Sequence, residues 1–328
     1  MDAMIALLAP GQGAQSPGML VPWLALEGAE ERVSAWSEAT GLDLRWLGTT
    51  ADAEQIKDTA VTQPLVVALS LLAAEELVRR VELPTDAAVA GHSVGELAAA
   101  AVAGVLTADE AVMLAAVRGE EMAAACALAP TGMSAVLGGD TDDVAAVLAQ
   151  LGLDVANHNG AGQIVVAGRL DTLATLAAHK PARARVLPLP VAGAFHTRFM
   201  APAEHALAGY VRYLTAKNPV RPLLSNADGE VVEQGTEMLR RLVAQVTKSV
   251  RWDSCMATLR ALTVTATVEL PPAGTLSGLV KRDLKGTVTL ALKTPDDLDR
   301  VAGLIRFHSR TDRSETDRSG ADLSETLA

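Results

Sequence analysis

The residue best suited to covalent chemistry in this chain is a serine set between two glycines, in Gly91-His92-Ser93-Val94-Gly95. An apolar strand-like run, Ala87 to Ala90, precedes it, and an alanine-rich, helix-forming run follows it. Small neighbours permit a tight strand-to-helix turn, and such a turn forces the serine outward. The new helix then points its free backbone N–H groups at whatever the serine attacks. A serine nucleophile needs a base. Of the six histidines, His92 adjoins the serine, but consecutive residues on a tight turn point apart. His158 and His179 fall in a separate αβ unit described below, and His308 falls near the C-terminus. His205 lies on a surface-type helix and is a weaker competitor. His196, in Val191-Ala192-Gly193-Ala194-Phe195-His196-Thr197, sits where the chain leaves that unit, and a loop at a domain junction is a good place for a catalytic group.

The elements that must position these residues follow an α/β rhythm. Ile5 to Ala9 reads as a buried strand running into the glycine-flanked loop Pro10-Gly11-Gln12-Gly13-Ala14-Gln15, where backbone donors can approach a ligand closely. Thr62-Gln63-Pro64 opens an apolar helix to Arg80, with Thr62 able to cap it. Thr107-Ala108-Asp109-Glu110 is a capping box opening the helix that carries Arg118 and Met122. Strand, helix, strand, strand, helix, strand then follow at 132–137, 142–151, 153–157, 163–167, 170–178 and 185–189, the order of a ferredoxin-like unit. Strands are expected again at 222–225, 264–270 and 287–292.

Several motifs together carry a resemblance. Gly11-Gln12-Gly13-Ala14-Gln15, the Gly-His-Ser-Val-Gly-Glu elbow, Arg118 with Met122, Asn157 to Gln163, Gly193 to His196 and Val250-Arg251-Trp252 occur in one order. Over roughly residues 4–300 the chain resembles the malonyl-CoA:acyl carrier protein transacylases of dissociated fatty-acid synthesis, and it is similar to polyketide synthase acyltransferase domains. The resemblance implies an α/β fold: an α/β-hydrolase-like large domain with a parallel sheet (1–130 and 191–306) and an inserted ferredoxin-like small domain (131–190). It implies Ser93 as nucleophile, His196 as base, and the N–H groups of Gln12 and Val94 as an oxyanion hole. Gln245 would sit beside the histidine, where an amide or a main-chain carbonyl replaces the usual triad carboxylate. Arg118 would hold the malonyl carboxylate, with His92, Met122 and Phe195 along the substrate site. In related polyketide enzymes an Ala-Phe-His ending, here Ala194-Phe195-His196, accompanies malonyl rather than methylmalonyl. Two departures stand out: Ser249 where proline often precedes Val-Arg-Trp, and Glu269-Leu270-Pro271-Pro272 in place of a Glu-x-Gly-Pro pattern.

The implied reaction needs malonyl-CoA as donor and the phosphopantetheine thiol of an acyl carrier protein as acceptor, with no bound cofactor and no metal. The alternative is an α/β-hydrolase passing the acyl group of an ester or thioester to water; it gives Arg118 no role. Composition bounds the partners. A net charge of −11 argues against nucleic acid and anionic membrane. The N-terminal apolar run has no basic flank and only strand length, so neither a signal peptide nor a membrane span is expected. Cys126 and Cys255 lack metal-site spacing and suit a reduced, cytoplasmic chain. A monomer is expected from the resemblance. The cations Lys281, Arg282, Lys285 and Lys293, interrupted only by Asp283 before Asp296, form the expected docking patch for an acidic carrier. The residues from 307 are polar, carry the near-repeat Thr311-Asp312-Arg313-Ser314 and Thr316-Asp317-Arg318-Ser319, and are expected to form a disordered tail.

Overall fold

A computed structural model describes the backbone of residues 4–321 and side chains through Ser309. The first half comprises β1 (Met4–Ala9), α1 (Ala29–Thr40), α2 (Leu44–Thr49), α3 (Thr59–Arg80), β2 (Ala88–Gly91), α4 (Gly95–Val102) and α5 (Ala108–Cys126). A second run follows: β3 (Thr131–Gly138), α6 (Thr141–Leu151), β4 (Asp154–Gly160), β5 (Gln163–Arg169), α7 (Leu170–Ala178) and β6 (Ala184–Pro188). The chain then continues through α8 (Ala201–Val211), α9 (Gly235–Ala244), β7 (Val250–Arg251), α10 (Trp252–Ala261), β8 (Val264–Glu269), α11 (Thr275–Asp283), β9 (Val288–Ala291) and α12 (Leu298–Ala321).

The first sheet has the order β2-β1-β8-β9, and all its pairs are parallel. Its strands are short and apolar on both faces because helices cover both. In β1, Ile5, Leu7 and Ala9 face the core built with α3, α4 and α5, while Ala6 and Leu8 face Trp252, Leu259 and Leu279. The second sheet has the order β6-β3-β5-β4-β7 and is mixed: antiparallel throughout except for the β4–β7 pair. One of its faces packs Val136 and Val166 on α6 and α7 through Val144, Leu148, Leu173 and Leu176. Its other face sends Met133, Val165 and Ala167 into the main core.

Four local expectations change. The second sheet takes a fifth strand, β7, from beyond residue 190. Ser249 reinforces that join, its hydroxyl donating to the carbonyl of Val155. Residues 222–225 form no strand; Leu223 and Leu224 make only isolated bridges to Val89 and Val231. Helix α3 begins a turn early, because Asp58 accepts from the N–H of Ala60, leaving Thr62 to donate inward to the carbonyl of Ile56. Helix α12 runs through the boundary drawn at 306. Val301, Ala302, Ile305 and His308 recur at helical spacing and are buried, which holds the first turns against the body. The rest of the expected tail, 322–328, lies outside the described residues. Helix α3 is long and apolar enough to cross a membrane by length and composition, and it is buried in the core.

Glu269, which opens the Glu269-Leu270-Pro271-Pro272 segment and is kept where the pattern's glycine is lost, has a structural use. Its carboxylate accepts the N–H groups of Gly274, Leu276 and Ser277, neutralising the start of α11.

Candidate active site

The elbow forms where β2 stops at Gly91 and α4 starts at Gly95. Ser93 has φ 54°, a left-handed conformation that costs energy for a residue with a Cβ and that the surroundings must enforce. They do so by close approach. A Cβ on Gly95 would lie 2.2 Å from the carbonyl oxygen of Ala9, and one on Gly91 would lie 2.1 Å from Gly95. Asn226 clasps the turn: its Oδ1 accepts from the N–H of Ser93 at 2.8 Å and its Nδ2 donates to the carbonyl of Gly91 at 2.8 Å.

His196 reaches the serine from the loop after β6. It too is left-handed, with φ 60°, and it is buried. Its Nε2 is 2.7 Å from Ser93 Oγ, and its Nδ1 is 2.7 Å from the main-chain oxygen of Gln245. A carbonyl can only accept, so Nδ1 carries the proton and Nε2 presents a lone pair to the serine hydroxyl. Burial, reinforced by the nearby Arg118 charge, pushes the imidazole pKa down to about 3. The ring is therefore neutral and able to accept a proton at ordinary pH.

Arg118 is buried on α5, with its guanidinium spread between three acceptors. Nη1 donates to Gln63 Oε1 at 2.6 Å, and Nη2 donates to Gln245 Oε1 at 2.9 Å and to Ser93 Oγ at 3.4 Å. None of these is a carboxylate. Helix α5 can come this near to α3 because Gly119 faces the start of α3; a Cβ there would lie 2.7 Å from the carbonyl oxygen of Thr59. Burial lowers the Arg118 pKa to about 10 against the pull of Glu96, which leaves it charged. Met122, one turn on, lies behind this group: its sulfur accepts from Gln63 Nε2 at 3.5 Å. Phe195 is buried beside His196 in the main core.

The remaining expected groups surround the serine. Gly11 packs on the elbow, where a Cβ would lie 2.6 Å from the carbonyl oxygen of His92. That contact brings the Gln12 backbone to the start of α4; the Gln12 side chain donates to Thr59 Oγ1 at 3.3 Å. Among the described residues neither the N–H of Gln12 nor that of Val94 donates to a protein acceptor. His92 turns away from the serine, with Nε2 2.9 Å from Asn159 Oδ1 and its ring 5.5 Å from Trp252; burial lowers its pKa.

Four residues here were given no role from sequence: Gln63, Glu96 and Asn159, which lie in segments already noted, and Asn226. Glu96 and Gln63 had a legible signal, since each is a polar side chain in an otherwise apolar helical run. Asn226 comes from a loop whose position only the fold reveals. The expected cation patch divides. Lys281, Arg282 and Lys285 lie around the end of α11, where Arg282 donates to Gln163 Oε1 at 3.1 Å, whereas Lys293 lies past the opposite end of β9. The four cations therefore do not make one cluster, because a strand separates the last from the rest. A cavity of about 920 Å³, lined by Leu71, Val78, Leu106 and Arg221 among others, touches none of the groups above. Convergent chemistry rather than cavity size locates the site.

Comparison with known proteins shows the family to which the chain belongs. A family model described as the acyl transferase domain matches residues 7–320. The chain is 59% identical over 302 residues to the malonyl CoA-acyl carrier protein transacylase of Mycobacterium tuberculosis, covering 92% of this chain and 100% of that protein. It is 32% identical to the Escherichia coli protein of the same name, covering 88% and 96%. The crystal structure of MCAT from Mycobacterium tuberculosis superposes with a TM-score of 0.88 at 58% identity, over 91% of this chain and 99% of that one. A malonyl-transacylase solved in complex with a type II PKS acyl-carrier protein superposes with a TM-score of 0.84 at 28% identity, over 90% and 98%.

Proposed function

The chain belongs to the acyl transferase domain family, among the malonyl CoA-acyl carrier protein transacylases, and on that premise we propose that it moves a malonyl group from malonyl-CoA to the phosphopantetheine thiol of an acyl carrier protein through an ester on Ser93. The observation that carries the reading is a buried cation beside an activated serine: Arg118 Nη2 lies 3.4 Å from Ser93 Oγ, which is 2.7 Å from His196 Nε2. A malonyl group on Ser93 has its carboxylate only two bonds beyond the ester carbon, within reach of that guanidinium.

In the first half-reaction Ser93 Oγ attacks the thioester carbon as its proton passes to His196 Nε2. The oxyanion is met by the N–H groups of Val94 and Gln12. The carbon–sulfur bond breaks, the proton leaves with the coenzyme A sulfur, and malonyl-Ser93 remains. In the second, the carrier thiol gives its proton to His196, attacks the ester, and Ser93 regains its hydrogen. The carbonyl of Gln245 steadies the imidazolium in both. Met122 supports Arg118 through Gln63, while Phe195 and His92 bound the acyl site. A hydrolase with this elbow would have no use for Arg118, and no observation favours that alternative.

The same reading extends to architecture and setting. We read the parallel sheet and its helices as an α/β-hydrolase-like large domain (1–130 and 191–306) and the second sheet as a ferredoxin-like insert (131–190); the strand order β6-β3-β5-β4 supports it. A cytoplasmic monomer without a bound cofactor fits a reaction whose two substrates supply all the chemistry. The carrier docks beside Lys281, Arg282 and Lys285. Gly160, next to Asn159 at the site, lies against Asp283 within this group.

Intact mass after incubation with malonyl-CoA tests the reading. The native chain gains one malonyl group and Ser93→Ala gains none. An adduct persisting in the variant would remove Ser93 as nucleophile.

A further inference from the structure

Glu96 is the buried group that the mechanism above leaves unused. It lies in the first turn of α4 and is 1% exposed. One carboxyl oxygen accepts from the N–H of Asn226 and the other from Gln245 Nε2, each at 2.5 Å. Gln245 thereby has a fixed polarity. Its amide nitrogen points at Glu96, also meeting Ser93 O and Asn226 Oδ1, so its amide oxygen must face Arg118. The same residue's main-chain oxygen holds His196. Asn226, the other partner of Glu96, holds the N–H of Ser93.

We propose that Glu96 is a positioning residue that sets the orientation of Gln245 and exchanges a proton as Arg118 gains or loses a substrate carboxylate. This deepens the malonyl-transfer reading and rests on it. With the donor absent, Glu96 ionises in mild alkali, and its charge then balances buried Arg118 through the single amide of Gln245. A malonyl carboxylate on Arg118 takes over that balance, and Glu96 then binds a proton. An acetyl group brings no charge and causes no exchange.

The other charged and titratable neighbours do not supply this proton. Arg241 on α9 is held charged by Asp228 and Glu237. The Cys255 thiol on α10 is pushed up by burial and stays protonated. His196 and His92 are held below the usual histidine range by burial and stay neutral in mild alkali. Arg118 is already protonated near pH 8. Burial brings the Glu96 carboxyl up to about 8, against Asn226, Arg118, Arg241 and Gln245, so that mild alkali is where the exchange is visible.

The test uses the native chain in weak buffer at pH 8 with an indicator dye, loaded in parallel from malonyl-CoA and acetyl-CoA. Both reactions release the same thiol, so that contribution cancels. Uptake of a substantial fraction of one proton per site, on malonyl loading only, is expected. Equal proton changes for both donors, with loading confirmed by mass, would overturn the inference while leaving the transfer reading intact. Failure to load malonyl at all would overturn the reading itself. Glu96→Gln provides the second arm. It should abolish the malonyl-specific uptake; coupled uptake also requires malonyl-CoA KM of the native chain to rise between pH 7 and 9, and the variant should flatten that rise. Uptake retained in a loading-competent variant would place the proton elsewhere.

Discussion

At the scale of single residues, the site works by placing neutral and charged groups against their ordinary tendencies. His196 is kept neutral by burial and by Arg118, with its pKa at about 3. A base must be unprotonated to act, so activity is present above the folded-state value and is lost only as pH falls through it. At saturating malonyl-CoA the loading rate should therefore hold level from pH 8 to 5, where an ordinary histidine would halve it near pH 6.5. A stopped-flow profile with a midpoint near 6.5 would contradict this environment. Arg118 should govern which acyl group is accepted. A charge-assisted hydrogen bond contributes about 1.5–3 kcal/mol. Arg118→Ala should then lower the malonyl-over-acetyl ratio by roughly 10- to 150-fold. An unchanged ratio in a competition assay would place the carboxylate elsewhere.

At the scale of elements, glycines decide how closely the catalytic pieces approach. The Gly11–Gln15 loop touches the elbow through Gly11, where an added Cβ meets the main-chain oxygen of His92 at 2.6 Å. Backbone cannot swing aside as a side chain can, so Gly11→Ala should displace the Gln12 N–H from the developing oxyanion. Loss of one such donor costs about 10²–10³ in kcat. The fold should survive, since a single overpacked methyl costs about 1–3 kcal/mol. The check is kcat together with thermal melting; a native rate would mean that Gln12 does not serve the oxyanion. The capping box of α5 was readable in advance: Thr107 and Glu110 bond reciprocally as their spacing requires. The start of α3 was not, because Asp58 and Thr62 are both competent caps and the choice depends on where the carbonyl of Ile56 lies.

At the scale of the whole molecule, an acidic chain must meet an acidic carrier. A net charge of −11 repels at long range, so encounter depends on a local positive face. Lys281 and Lys285 are exposed around the end of α11, where Asp283 and Arg282 meet Gly160 and Gln163 of the β4–β5 hairpin. Replacing both by Glu should raise the carrier KM several-fold at low salt and weaken its salt dependence, with malonyl loading from coenzyme A unchanged. Carrier transfer with native KM at low salt would move the docking face. Lys293, past the far end of β9, should not contribute, and Lys293→Glu serves as the internal control.

The sequence by itself determined the parts whose physics is local. Glycine spacing around Ser93 permits a sharp turn, and residue alternation marks the βαββαβ run. Arg118 and Met122 fall one turn apart on a helix whose cap is written beside it. Tertiary structure alone decided which distant groups converge. Gln245 lies 152 positions from Ser93, yet its side chain, its main-chain oxygen and the Asn226 amide together hold Ser93 and His196. It also decided that β7 joins the second sheet and that α12 runs through residue 307. The reason is the same in each case. A turn or cap is satisfied by neighbours in the chain, whereas a buried amide, carboxylate or guanidinium is satisfied only by whatever polar groups the packed core brings within hydrogen-bonding distance.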